Sequence, residues 1–337
     1  MIKVSVILSV YNKENSLNDS LCIESILTQT FTDFELIIIN DGSTDRSGQI
    51  ADQYATKDNR ISVIHRTNQD LGASYNTGVR SATGQYIVFV EPDDFLHERF
   101  LDVHLAEIKQ SHADISLCDF FPIEEGVQID DNQRKETLSD IKRTIKTGSD
   151  ALPDIYEIER LYTVPWSKVY RKSLFSDIIF PEGYVDPEEF IAHRLLYKAK
   201  KIVHVHVPMY YYVIKEGRKG SYTPIPMTAE KFDKMQALYE RVQFFKEKQL
   251  KTLEERALIH FTEHFFWYYI QSQHELPEAI ARRKEIKKMY KKLFLSMIKN
   301  SQISNKEKIV YTAFRISPNF HKLLVTRVEN KRLKRSS

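Results

Sequence analysis

With 337 residues, 42% of them hydrophobic and 28% charged, the chain can hold one large or two ordinary globular domains around a substantial core. Two cysteines, Cys22 and Cys118, each in an apolar or helical pattern, argue against a disulfide scaffold or a zinc module and for reduced core thiols in a cytoplasmic protein. The net charge of +3 is unevenly spread, since Ala281 to Ser337 carry 17 Lys/Arg against 3 Asp/Glu and the preceding residues are net acidic.

The start of the chain runs directly into a strand pattern, without the basic region, long apolar core or cleavage site of a secretory signal. No apolar stretch approaches the roughly 18 to 20 residues that span a bilayer, so any membrane contact is expected to be peripheral. Val4 to Val10 predict a first strand, followed by the polar turn Tyr11 to Asn15 and a helix near Ser16 to Thr30. A second strand from Phe34 to Ile39 ends in Asn40-Asp41-Gly42-Ser43-Thr44-Asp45, and a helix follows to about Ala55. Ile61 to His65 is a short strand, and the loop Arg66 to Gly72 leads into a helix through Ala82. Tyr86 to Val90 is then a strand suited to burial on both faces, and Asp114 to Asp119 another. This alternation predicts an α/β fold with a mostly parallel sheet and right-handed crossovers.

The Tyr86 strand ends in Glu91-Pro92-Asp93-Asp94, three carboxylates within four positions. The carboxyl ends of such strands are where α/β sheets place ligands. Hard oxygen donors there suit Mg²⁺ or Mn²⁺ bound against a phosphorylated substrate. The plainer reading is a helix start capped by Asp93 or Asp94. Asp41-Gly42 is first of all a tight-turn signal. The phosphate loop of kinases, the Gly-x-Gly-x-x-Gly of dinucleotide enzymes and a Gly-x-Ser-x-Gly nucleophile elbow are all absent.

Val4 to Asn12, Ile39 to Asp45, Asn68 to Gly78 and Val90 to Asp94 together resemble the family 2 glycosyltransferases, strongly over about residues 3 to 120. The resemblance implies an inverting enzyme of GT-A fold that uses a nucleotide-diphosphate sugar. It implies that Ser9, Tyr11, Glu14, Asp41, Asn68, Gly72, Asn76, Glu91, Pro92 and Asp93 surround the nucleotide. Asp93 would be the principal ligand of Mn²⁺ or Mg²⁺. The family's acidic motif commonly reads Asp-x-Asp-Asp, so Glu91 is one methylene longer than the usual first acid. Tyr75 in Ser74-Tyr75-Asn76 stands where Arg is frequent, which removes a donor-binding charge.

The resemblance continues at Pro165-Trp166-Ser167-Lys168-Val169-Tyr170 and at Phe180 to Phe190, where relatives carry Glu-Asp before a helix. In this register Pro187 replaces the Glu and Glu188 the catalytic Asp. A carboxylate is required there to take the proton of the attacking acceptor hydroxyl. The competing reading is a helix start, with Asp186 as cap, Pro187 in the first turn and Glu189 closing a capping box. Glu188 is left without a capping role and is the first candidate base, Asp186 the second. Lys215, Arg218 and Ser221 lie in a loop with two glycines and three cations that would close on a diphosphate; the plain reading is a solvated basic loop.

From about Pro226 long helical patterns follow, at Lys231 to Lys248, Leu253 to His274 and Pro277 to Ile298. The tail from Lys306 to Arg335 alternates cations with apolar residues, fitting a helix docked on the protein or lying on an anionic bilayer. No carboxylate-rich metal motif surrounds His260 and His264 beyond Glu263, and no nucleic-acid partner is expected. The expected organisation is a catalytic domain over residues 1–225, with a nucleotide-sugar half to about 120 and an acceptor half beyond, then a basic helical region over 226–337. The expected function is metal-dependent transfer of a galactose- or glucose-type hexose from a UDP-sugar to a glycan or glycoprotein acceptor, in the cytoplasm or at the inner face of the membrane. The rival is a sugar-nucleotide-binding or scaffold protein of the same fold that has lost turnover.

Overall fold

Val4 to Val10 are seven consecutive buried residues, and they form the strand β1 that the sheet is laid around. A run apolar on both faces belongs in the middle of a covered parallel sheet, and β1 pairs in parallel with β2 (Phe34–Asp41) on one side and β4 (Tyr86–Val90) on the other. β3 (Ile61–Arg66), whose residues alternate in exposure, adds in parallel to β2. In this register Val10 faces Asn40 and Leu8 faces Val90, so three strands release their following loops at one level of the sheet. That shared rim is the crevice expected for a ligand.

The computed structural model describes residues 3–19, 21–126, 141–214 and 227–318. The chain divides into two compact units, Met1–Ile225 and Pro226–Ser337. In the first, β5 (Phe95–Leu96), β6 (Ile115–Glu124), β7 (Arg143–Thr147), β8 (Lys168–Arg171) and β9 (Lys201–Ile214) complete a nine-stranded sheet in the order β3-β2-β1-β4-β8-β6-β9-β5, with β7 also on β9. β8 is inserted antiparallel between β4 and β6, while most paired residues lie in the parallel ladders. This is the GT-A architecture.

Several elements differ from the sequence expectation, among them β5 and β8, which were not read as strands. The helix placed near Ser16 to Thr30 is two short helices, Glu14–Asn18 and Leu21–Leu27. Leu17 is buried but Leu21 is exposed, although positions four apart share a face in one continuous helix, so the break between the two short helices is what turns Leu21 outward. The Asn18-Asp19 pair supplies side chains that compete for backbone hydrogen bonds where the first helix stops. β7 was not foreseen either, because its alternation of Arg, Thr, Ile, Lys and Thr leaves a single apolar residue.

A knot of rings closes the centre beneath the rim. Phe89 of β4 is fully buried against Tyr75 (centroids 4.7 Å apart), Phe180 (5.4 Å) and Phe175 (5.8 Å). The second unit contains the helices Asp233–Glu247, Lys251–Glu275, Ile280–Lys299 and Asn305–Ile316. Its aromatic residues are core, as Phe265 stacks on Tyr290 at 4.5 Å and meets Phe314 edge-on at 5.2 Å. The last helix starts in a capping box between Ser304 and Glu307. The basic tail beyond residue 318 and the loop holding Lys215, Arg218 and Ser221 lie outside the described residues.

Candidate active site

The loops leaving β1 and β2 are stitched together by short polar side chains. The amide of Asn12 donates to Ser43 Oγ (3.1 Å), that of Thr44 to Asn12 Oδ1 (2.8 Å), and that of Lys13 to Ser47 Oγ (2.8 Å). Glu14 accepts from the amide of Arg46 at 3.1 Å. Ser9 is buried at the end of β1, and Tyr11 stands 47% exposed beside it. Asp41 is buried and takes the Arg66 guanidinium at 2.9 Å and the Gln69 amide at 3.3 Å. Burial raises its carboxyl above the ordinary value, against the pull of those two partners. Gly42 follows at φ +69, and a side chain there would strike the backbone nitrogen of Asn68 at 2.5 Å. Asn68 in turn donates to the Asp41 carbonyl at 2.9 Å.

The three acids after β4 are separated by their partners. Glu91 accepts from Tyr75 Oη at 2.5 Å, and burial raises its carboxyl above the usual range. Asp93 accepts from the Lys13 ammonium at 2.5 Å and from the Ser16 hydroxyl. Asp94 accepts from Tyr210 Oη (2.7 Å) and the Val213 amide (2.9 Å), and burial pushes it up to about 7. Among the described residues Asp93 is the one of the three that forms an ion pair, and its side chain retains 21% exposure. Asp94 serves the fold by tying β4 to β9 and does not cap a helix.

Gly72 and Asn76 face the protein's own backbone. A side chain at Gly72 would strike the Pro181 carbonyl at 2.5 Å. Asn76 donates to the Phe180 carbonyl (2.8 Å) and accepts from the Phe180 amide (3.0 Å), consuming both ends of its amide group. Asp70, unremarked in the sequence, caps the helix Leu71–Ser81 through the Ala73 amide and accepts from the Gly183 amide, both at 2.8 Å. These contacts clamp residues 180–183 onto that helix and set the start of the next one, Glu188–Lys198.

Asp186 sits at φ +56, outside the extended geometry of a side-chain cap, and Pro187 is the residue before the first helical turn. Glu188 turns inward. Its Oε2 is buried with no hydrogen-bond partner, in a small cavity also lined by Lys168, Tyr170 and Phe180. Burial first, then the charges of Asp186, Glu189 and Glu91, push its carboxyl up to about 8. The ammonium of Lys168 is buried beside it, donates to the carbonyls of Val164 (2.6 Å), Trp166 and Leu161, and is brought down to about 7 by burial. Trp166 stacks on Tyr210 at 4.6 Å, so the same loop packs against the residue that holds Asp94.

Residues 5–179 match the model of the family described as Glycosyl transferase family 2. The chain belongs to glycosyl transferase family 2. This family 2 chain is 27% identical over 225 residues to the glycosyltransferase GlyA of Streptococcus pneumoniae, covering 64% of the chain and 31% of that protein. It is 32% identical over 221 residues to the putative glycosyltransferase EpsH of Bacillus subtilis, covering 63% of the chain and 60% of that protein. The chain thus spans less than two thirds of these relatives. Among solved structures, residues 1–349 of Staphylococcus aureus TarS in complex with UDP match with a TM-score of 0.67 at 18% identity, over 97% of this chain and 92% of that one. That likeness establishes the fold.

Two departures from the family pattern, Glu91 and Tyr75, are partners of each other. The sequence exposed each residue but not the pairing, which joins a carboxylate to a phenol 16 residues away. Tyr75→Phe leaves a buried carboxylate oxygen unpaired and is expected to cost about 1–3 kcal/mol in urea unfolding. Glu91→Leu combined with it should add less than the sum of the single losses; strictly additive losses would show that the two side chains act independently.

Proposed function

We propose that this family 2 enzyme is an inverting transferase that moves a galactose- or glucose-type hexose from a UDP-sugar to a saccharide or glycoprotein glycan. The observation that carries the reading is that Asp41 ends and Asp93 follows the two strands flanking β1 at one rim of the sheet, while Glu188, from a third stretch of chain, lies near enough to Glu91 to feel its charge. Relatives support the donor class. The poly(ribitol-phosphate) beta-glucosyltransferase of Bacillus spizizenii is 30% identical over 233 residues, and TarS structures carry UDP and UDP-GlcNAc in their descriptions. In this proposal residues 1–225 are the catalytic domain, with the donor half to about 120 and the acceptor half after it. Ser9, Tyr11, Glu14, Asp41 and Asn68 then frame the nucleoside.

The donor set at Asp93 fits a hard divalent cation. One part-exposed carboxylate, completed by diphosphate oxygens and water, suits Mg²⁺ or Mn²⁺, and Lys13 already marks the position as one that draws positive charge. When bound, the cation would neutralise charge developing on the departing diphosphate. Lys13 and Ser16 hold the carboxylate in place, and Lys215, Arg218 and Ser221 are proposed to close on the same diphosphate. Asp93→Ala is expected to abolish the Mn²⁺-linked part of UDP affinity in calorimetry. Equal UDP binding with Mn²⁺ and with chelator in the parent chain would refute the assignment.

Glu188 is proposed as the base. As the acceptor oxygen bonds to the anomeric carbon, the bond to UDP breaks on the opposite face with its electron pair leaving on UDP, and the hydroxyl proton passes to the carboxylate. Burial disfavours the ionised, proton-accepting form of Glu188 and raises its ionisation to about 8, which sets the pH dependence. Because the ionised form is active, kcat/KM should rise with pH up to about 8 and then level. Glu188→Gln should cut turnover by about 100-fold or more while UDP still binds. A profile flat from pH 6 to 8, or turnover retained in Glu188→Gln, passes the role to Asp186.

A peripheral membrane location is proposed for the basic region. No helix among the described residues is long and apolar enough to cross a membrane. Lys284, Lys288, Lys291, Lys292 and Lys299 are exposed along one stripe of the helix Ile280–Lys299, where an anionic surface of the inner leaflet would meet them. Replacing Lys284, Lys288, Lys291 and Lys292 by Glu should stop flotation with anionic liposomes. Unchanged flotation would contradict this docking.

A further inference from the structure

A second cluster of ligand-type side chains lies where β6 and β9 lose register. Cys118 pairs with Val205 but Asp119 pairs with Pro208, so His206 and Val207 are extra residues on β9. Such a bulge bends the strand and re-aims its side chains. Beside the slip Asp119 lies against His204, with His204 Nε2 2.8 Å from Asp119 Oδ1. The rings of His204 and His206 approach to 4.0 Å between centroids, and one ligand atom from each of the three residues lies within 4.8 Å of the others.

We propose that Asp119, His204 and His206 bind a zinc-type transition-metal dication, at a site separate from the donor site and independent of the transfer reading. Two imidazoles and one carboxylate favour Zn²⁺, Co²⁺ or Ni²⁺ over Mg²⁺, Mn²⁺ or Ca²⁺, and three protein ligands leave room for water as the fourth. The surroundings orient both rings. His206 Nε2 is held by Thr144 Oγ1 at 2.7 Å, which leaves Nδ1 as its ligand atom. Tyr162 packs edge-on against His204 at 6.2 Å. Metal-binding histidines are commonly fixed in this way through their other nitrogen. His204 is buried while His206 is exposed, so the site opens to solvent on one side and is walled on the other. Bound metal would join β6 to β9 across the slip, on the strand that carries Tyr210 to Asp94.

The test uses the full chain without a histidine tag, stripped of metal and titrated with Co²⁺ while its visible ligand-field absorption is followed, then with Zn²⁺ as competitor. A single saturable equivalent displaced by Zn²⁺ is expected, unchanged by Asp93→Ala and by excess UDP. His206→Ala and Asp119→Asn should abolish the absorption, and Thr144→Ala should weaken binding by about tenfold. Absence of saturable Co²⁺ and Zn²⁺ binding in the parent chain, full binding in His206→Ala, or loss of binding in Asp93→Ala would each overturn the proposal.

Discussion

Three carboxylates within four residues at the mouth of a buried strand repel one another, and the rest of this site is arranged around how that repulsion is relieved. Each acid has its own donor from a different part of the chain. Tyr75 on the helix Leu71–Ser81 takes Glu91, Lys13 and Ser16 after β1 take Asp93, and Tyr210 on β9 takes Asp94. The division of roles follows from burial. Glu91 and Asp94 are enclosed and bonded to phenols, so they join elements of the fold, whereas Asp93 stays at the surface beside a cation.

A second constraint links the two halves of the first unit. Asp70, Gly72 and Asn76 all meet residues 180–183, by a cap, a close backbone approach and a doubly bonded amide. The helix Leu71–Ser81 therefore also holds the segment that leads into the helix Glu188–Lys198. Glu188 consequently lies close enough to Glu91 for the two charges to raise each other's cost, which burial compounds. The helix Leu71–Ser81 and residues 180–183 are thus held together, and substitutions at Asn76 or Gly72 act on both.

The alternation of strands and helices, the ends of β1, β2 and β4, and the family of the chain were legible because long apolar runs and ordered turn motifs are local signals. The break at Asn18-Asp19 was masked because the spacing of Leu17 and Leu21 fits one buried helix face, whereas the break leaves Leu21 exposed. The pairing of Tyr75 with Glu91 and the inward turn of Glu188 depend on contacts between distant segments, which no local pattern encodes. The same holds for Asp119, His204 and His206. His-x-His on a strand is unremarkable until the pairing of β6 with β9 brings the carboxylate alongside.

The most direct measurement is UDP release from a panel of UDP-sugars, with Mn²⁺ and with chelator. The account predicts release from one hexose donor that requires the cation and falls on loss of Asp93 or Glu188. Chelator-insensitive release, or tight UDP binding with no release from any donor even when glycan acceptors are supplied, would contradict it.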